Sequence, residues 1–412
     1  MALVNKTFSD IITFTRASTA TFFNSAGVLT SAATNAPRFD YNPSTLAAQG
    51  LLIEEARTNA LTYSAEFDNA AWTKTRSSIT ANATTSPDGT VNADKLVEDT
   101  TASASHPLIS AVLTVVVGST QSFSVYAKAA ERSAIVLRLN AASDSIFASF
   151  NLSTGAVGTT VNAGTGSGAT ATIQNAGNGW YRCTLSGIFS STSANPIAII
   201  YPAVSTADPS GTSIVYTGNG TSGLFIWGAQ LEAGAFPTSY IPTTTTALTR
   251  AADDAVVNTL SPWYSATAGT LFAEYNTPFA LTAGTGPRLA SLQGAGGPAV
   301  DELPLFIVQI SGKAASVNAF TAGVNAGRVD ATASFVANTT TKAAYAYALN
   351  DRAVTTGGSV PTTSATVYTI PTVTLMRLGT QGSGFSQING YLRRITYYPR
   401  RLSAAELQAI TA

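Results

Sequence analysis

Ala176-Gly-Asn-Gly-Trp-Tyr-Arg-Cys-Thr-Leu185 opens on a tight turn and runs straight into a strand. Glycine accepts positive φ without a Cβ penalty and asparagine tolerates it, so Gly-Asn-Gly reads as a hairpin turn. Beyond it the side chains alternate: Tyr181, Cys183 and Leu185 fall on one face, Trp180, Arg182 and Thr184 on the other. The same period of two recurs in Phe123, Val125 and Ala127 set against Ser124, Tyr126 and Lys128. Ile135-Val-Leu-Arg-Leu139, Ile146–Leu152 and Leu224–Leu231 read as further strands, with Ser86-Pro-Asp-Gly89 and Gly164–Gly168 as turns and crossings. Short strands at regular spacing, separated by turn residues, predict a β-sandwich or jelly roll.

Working outward, the chain predicts an all-β protein: two β-sandwich (jelly-roll) domains in tandem after a short N-terminal segment. Residues 1–60 contain strand-like Phe14–Phe23 and too few apolar residues for a core, so they are expected to lean on another domain or chain as an attachment segment. The first sandwich spans 61–246 and ends in Phe236-Pro-Thr-Ser-Tyr-Ile-Pro-Thr-Thr-Thr-Thr246, whose prolines and threonines resist helix. A linker at 247–268 leads to a second sandwich at 269–412. Near its end Asn389-Gly390 predicts a hairpin turn into a strand at Tyr391–Tyr398, stopped by Pro399. Ser403-Ala-Ala-Glu406 is a capping box flanked by Leu402 and Leu407 as a hydrophobic staple, predicting a closing helix over Ala404–Ile410.

Composition removes most chemistry. The 412 residues include one histidine, His106, and one cysteine, Cys183. No His/Cys metal cage can be built, a Ser-His-Asp triad would have to use His106, and no intrachain disulfide is available. No metal site and no cofactor is expected. Charged residues make up 11% of the chain and balance at 22 to 22, against roughly 25% in ordinary domains. Such low charge suits a protein that buries surface in an assembly, a homo-oligomer included, or one whose exposed faces are rich in Ser and Thr. Arg393-Arg394 and Arg400-Arg401 interleave with Tyr391, Tyr397 and Tyr398, but a net charge of zero argues against nucleic acid. The opening residues lack the apolar core of a signal peptide, and apolar runs such as Val112–Val117 are far too short for membrane insertion.

For binding chemistry the aromatic residues are the candidates. An exposed ring on a sandwich face offers sugars a flat platform, so Trp180 with Arg182 on the same strand face, and Tyr126 and Lys128 as neighbours, form the expected carbohydrate site. For Trp180 itself, packing into a core or an interface is the reading favoured over a ligand platform. No catalytic residue is assigned. Glu54-Glu55, Asp253-Asp254 and Asp301-Glu302 are adjacent carboxylates, and neighbours on a strand point to opposite faces. Glu232, Glu274, Asp301 and Glu302 are the carboxylates to test if the protein cleaves polysaccharide instead.

Several ordered motifs resemble bacteriophage head-spike and tail-fibre proteins: Gly50-Leu-Leu-Ile-Glu-Glu-Ala-Arg-Thr-Asn59, Phe67-Asp-Asn-Ala-Ala-Trp72, Trp227–Pro242 and Thr249-Arg-Ala-Ala-Asp253. The resemblance covers roughly residues 8–257 and implies a jelly roll like those of carbohydrate-binding modules. The stretch from Leu378 to Leu407 looks like the end of a laminin-G or concanavalin-like sandwich, without a dense Asp/Asn loop to carry a calcium site. Together these imply a virion protein that attaches to host cell-surface glycans without catalysis. Its partners would be other virion proteins, and its own assembly a trimer. A polysaccharide depolymerase and a purely structural capsid decoration protein are the alternatives.

Overall fold

The computed structural model describes residues 6–114, 116, 118–141, 144–188, 196–279, 286–298, 300–308, 312–382 and 386–412; Val115 and Val117 of the apolar run lie outside them. The protein is all-β, built of antiparallel sheets packed as sandwiches.

The middle of the chain forms two six-stranded sheets. One runs, in order of pairing, Ala156–Gly164, Asp144–Asn151, Ala134–Ala141, Ile197–Ala203, Leu108–Ser110 and Trp72–Lys74. The other runs Ser167–Asn175, Trp180–Ile188, Thr120–Ala129, Gly223–Ala233, Val91–Glu98 and Ser77–Thr85. Alternation assigns the faces as the sequence predicts. Cys183, Leu185, Phe123 and Val125 are buried between the sheets with Ile135, Leu137, Phe150 and Leu231. Gly89 takes φ 82° and closes the Ser86 turn onto the Ser86 carbonyl at 3.1 Å.

The second sandwich pairs a nine-stranded with a seven-stranded sheet, and residues 269–412 do not complete either one. In the first, Thr13–Thr15 pairs with Asp254–Val257, which pairs with Leu375–Leu378. In the second, Ala48–Ile53 pairs with Gly390–Tyr398 on one side and Phe39–Tyr41 on the other. Phe14, Leu51 and Ile53 are buried in the same core as Leu271, Leu292 and Tyr345. The N-terminal segment thus leans on another part of the chain, as its few apolar residues predict, and does so by joining these sheets.

Arg57–Asn59 and Leu248–Arg250 pair with each other, so the chain enters and leaves the middle sandwich side by side. The middle sandwich is thus an insertion in the outer one, where the sequence predicts a tandem.

At the C-terminus the helix Ala404–Thr411 carries its capping box: Ser403 Oγ accepts from the Glu406 amide at 3.3 Å, and Glu406 accepts from the Ser403 amide at 2.8 Å. Leu402 and Leu407 are buried against Phe272, Ala344 and Ala353 on the outer face of the seven-stranded sheet. Asn389-Gly390 is not a hairpin turn: the strand before it, Leu375–Leu378, lies in the opposite sheet. Asn389 does take φ 47°, and its side chain accepts from the Glu55 amide at 2.9 Å.

Candidate functional site

Three of the motif segments meet at a buried cluster of charge. Arg38 donates to Glu54 at 2.8 Å and to Asp253 at 2.5 Å, and Arg16 donates to Asp253 at 3.2 Å. Arg250 approaches Glu54 at 3.5 Å. Burial alone would raise the Glu54 carboxyl, but Arg250, Arg38 and hydrogen bonds from Ser239 outweigh it and bring the group to about 2. The Glu54 amide donates to Asp253 and the Asp253 amide to the Glu54 carbonyl, both at 2.9 Å. Side chain and backbone together fasten the first motif to the last.

Directly beside this cluster lies a cleft of about 410 Å³, within the roughly 300–1,000 Å³ typical of small-molecule sites. Three parts of the chain build it. The N-terminal segment supplies Phe23, Asp40, Tyr41, Asn42 and Glu54. From the middle sandwich come Tyr126 and Arg182, directly opposed on neighbouring strands, with Gln174, Asn175 and Phe236. The outer sandwich adds Phe279, Asn389 and Tyr391. Phe236 and Phe279 stack across the junction, ring centroids 4.7 Å apart and planes 7° from parallel. Aromatic faces and side-chain amides thus share the lining, which suits a ligand with both ring faces and hydroxyls.

Asp40 is 5% exposed. Its oxygens accept from the Phe23 amide at 2.6 Å and the Tyr391 hydroxyl at 2.9 Å. Desolvation dominates and raises its carboxyl to about 6 despite these bonds. Burial and the adjacent Asp40 likewise push Tyr391 well above the usual phenol.

The four residues expected to bind sugar divide. Tyr126 and Arg182 line the cleft; Trp180 and Lys128 are not among its lining residues. Trp180 is 1% exposed and offers no platform: the ring packs as core, and it drops out of the expected carbohydrate site. Its sheet face is covered by the hairpin of Ala20–Phe23 and Leu29–Ala32 and by the segment after Gly223–Ala233: Leu29, Ala176, Trp227 and Tyr240 share its cluster, and its Nε1 donates to the Thr85 carbonyl at 3.0 Å. Lys128 is half-buried, its stem beside Gly179. Trp72 and Trp227 are buried, and Trp263 packs edge-on to Tyr397.

The carboxylates singled out for catalysis stand apart from the cleft. Glu232 spends both oxygens on Thr238, Glu274 lies 3.7 Å from Arg393, Asp301 accepts from the Ala322 amide, and Glu302 is buried against Arg288 and Ser291. His106 is buried, its Nδ1 2.7 Å from the Arg76 carbonyl and 3.1 Å from Asp99. Among the described residues no group of three His, Cys, Asp or Glu could hold a metal, and no helix is long and apolar enough to cross a membrane.

No family model matches the chain, and no curated protein matches it. Similar solved structures include the CBM40 of Ruminococcus gnavus IT-sialidase bound to α2,3-sialyllactose, at 20% identity and TM-score 0.30 over 36% of this chain and 84% of that one. Mouse laminin α1 domains LG4-5 are similar at 11% identity and TM-score 0.23 over 74% and 88%. A pentraxin from Limulus polyphemus is similar at 12% identity and TM-score 0.29 over 38% and 79%. Likenesses this distant say nothing of what this chain binds.

Proposed function

We propose that this protein is a phage virion component, a head spike or fibre or a tail fibre, that attaches the particle to host cell-surface glycans without cleaving them. The observation that carries the reading is the cleft between the two sandwiches, with stacked aromatics and side-chain amides on walls fixed by a buried ionic cluster. The phage-like motifs supply two of those walls. Weak single sites are adequate on a particle, since many tethered copies raise avidity by about 10²–10⁴. A trimer is the assembly proposed, in keeping with the low charge of the chain.

One observation favours a depolymerase as the second reading. Asp40 and Glu54 line one cleft, the first raised to about 6 and the second lowered to about 2, and carboxylates split in this way are how glycosidases assign acid and base. Against it, both oxygens of Glu54 are held by Ser239 and Arg38, and both oxygens of Asp40 by Phe23 and Tyr391.

Co-sedimentation of the purified protein with envelope polysaccharides from a bacterial panel, followed with a reducing-end assay, separates the readings. Binding without new ends supports attachment. New ends that disappear in Asp40→Asn identify a depolymerase. Neither signal across the panel leaves the structural decoration protein.

A further inference from the structure

Arg182 is 7% exposed, and its hydrogen bonds go only to neutral groups. Nε and Nη2 donate to Ser124 Oγ at 3.2 and 3.0 Å, and Nη1 donates to the Thr238 carbonyl at 2.7 Å. The guanidinium also lies 5.4 Å from the centre of the Tyr126 ring. Among the described residues no carboxylate comes within 4.0 Å of it. Glu232, buried on the same sheet, is turned to the amide and hydroxyl of Thr238 instead. The arginines of the neighbouring cluster contrast with this: Arg16, Arg38 and Arg250 all have carboxylate partners. Arg352 is also buried without one, but its Nη atoms are taken by the Ala326 and Gly327 carbonyls and it is not in the cleft.

A buried charge with no counter-ion is costly, and one that faces a cleft can be completed by an arriving anion. Arg182 lines the cleft, and among the described residues each of its terminal nitrogens makes a single hydrogen bond, which leaves one N–H on each for a ligand. Two donors on a planar fork match the two oxygens of a carboxylate. The acids already present leave that role open, since Glu54 is neutralised by Arg38 and Arg250 and both oxygens of Asp40 are occupied.

We infer that the cleft takes an acidic sugar, a glycan residue bearing a carboxylate, whose carboxylate is received by Arg182 while its ring lies among the aromatic residues. This rests on the glycan-attachment reading and narrows it.

The test uses the intact protein on an array of uronic- and sialic-acid-containing glycans, each printed beside its counterpart with the carboxyl reduced to an alcohol. At least tenfold tighter binding to the acidic members supports the inference. Equal binding to both overturns it and leaves the glycan reading standing; binding to neither overturns both. Arg182→Gln should abolish the preference, with Arg182→Lys restoring it only in part because the fork is lost. Should either variant fail to unfold cooperatively, competition on the unaltered protein decides. Free glucuronate should displace the bound acidic glycan and its methyl ester should not. Equal displacement by the two would sink the idea.

Discussion

Arg38 Nη2 sits 2.5 Å from Asp253 Oδ2 across 215 residues of sequence, with both side chains fully buried. Asp253→Asn would leave Arg38 with Glu54 alone and would take from Arg16 its carboxylate partner among the described residues. Breaking a buried pair by removing one partner costs about 3–5 kcal/mol. Thermal unfolding of this variant should show a clear drop in midpoint. An unchanged midpoint would mean that the cluster does not fasten the N-terminal segment to the segment that follows the middle sandwich.

Trp180→Ala tests the reassignment of that ring from ligand platform to core. Emptying a packed aromatic site costs roughly 3–5 kcal/mol. Stability should fall accordingly, while glycan binding measured well below the midpoint stays as in the parent. Loss of binding in a fully folded variant would restore the ring to the site.

Asp40 gives the protein a pH signature. Its folded-state value of about 6 lies above its ordinary 3.8, so between those limits the folded state holds a proton that the unfolded state releases. Stability from this group is therefore full below pH 3.8 and declines as pH rises to about 6, by at most about 3 kcal/mol. Glu54 acts in the opposite sense: its contribution is full above its ordinary 4.5 and is lost as pH falls towards 2. In Asp40→Asn the decline between pH 4 and 6 should flatten, and denaturant midpoints across that range would register it. An unaltered slope would assign the decline elsewhere.

Cys183 is fully buried, and desolvation lifts its thiol far above the ordinary value. A thiol reagent such as Ellman's should leave it untouched in the native protein and titrate one thiol in denaturant. Rapid native reaction would contradict its place between the sheets.

The sequence makes local structure legible wherever one residue's neighbours in the chain decide its state. The faces of Trp180–Ile188, the Ser86 turn and the Ser403 cap follow from alternation, φ and capping, which act over a few residues. Burial of the outer face depends on what packs over it. Leu29 and Tyr240 cover Trp180 from distant parts of the chain, so a polar-looking strand face concealed a second core. The site was half visible for the same reason. Tyr126 and Arg182 are opposed on adjacent strands and could be read together, whereas Asp40, Phe279 and Tyr391 reach the cleft only after both sandwiches have formed. Even the motif segments, noticed as markers of a kind of protein, gave no sign that Glu54 and Asp253 close on each other.

Because the outer sandwich takes strands from both ends of the chain, synthesis delivers its halves far apart in time. Asn389 emerges 334 residues after its partner Glu55, roughly 20–70 s later at about 5–20 residues per second. The middle sandwich has all its strands early enough to fold on the ribosome. Phe14, Leu51 and Ile53 must meanwhile wait uncovered for a sheet that does not yet exist. Nascent copies growing side by side on one message would hold these unpaired strands close together, so chaperone capture of the first sixty residues becomes a determinant of how much native protein a cell obtains.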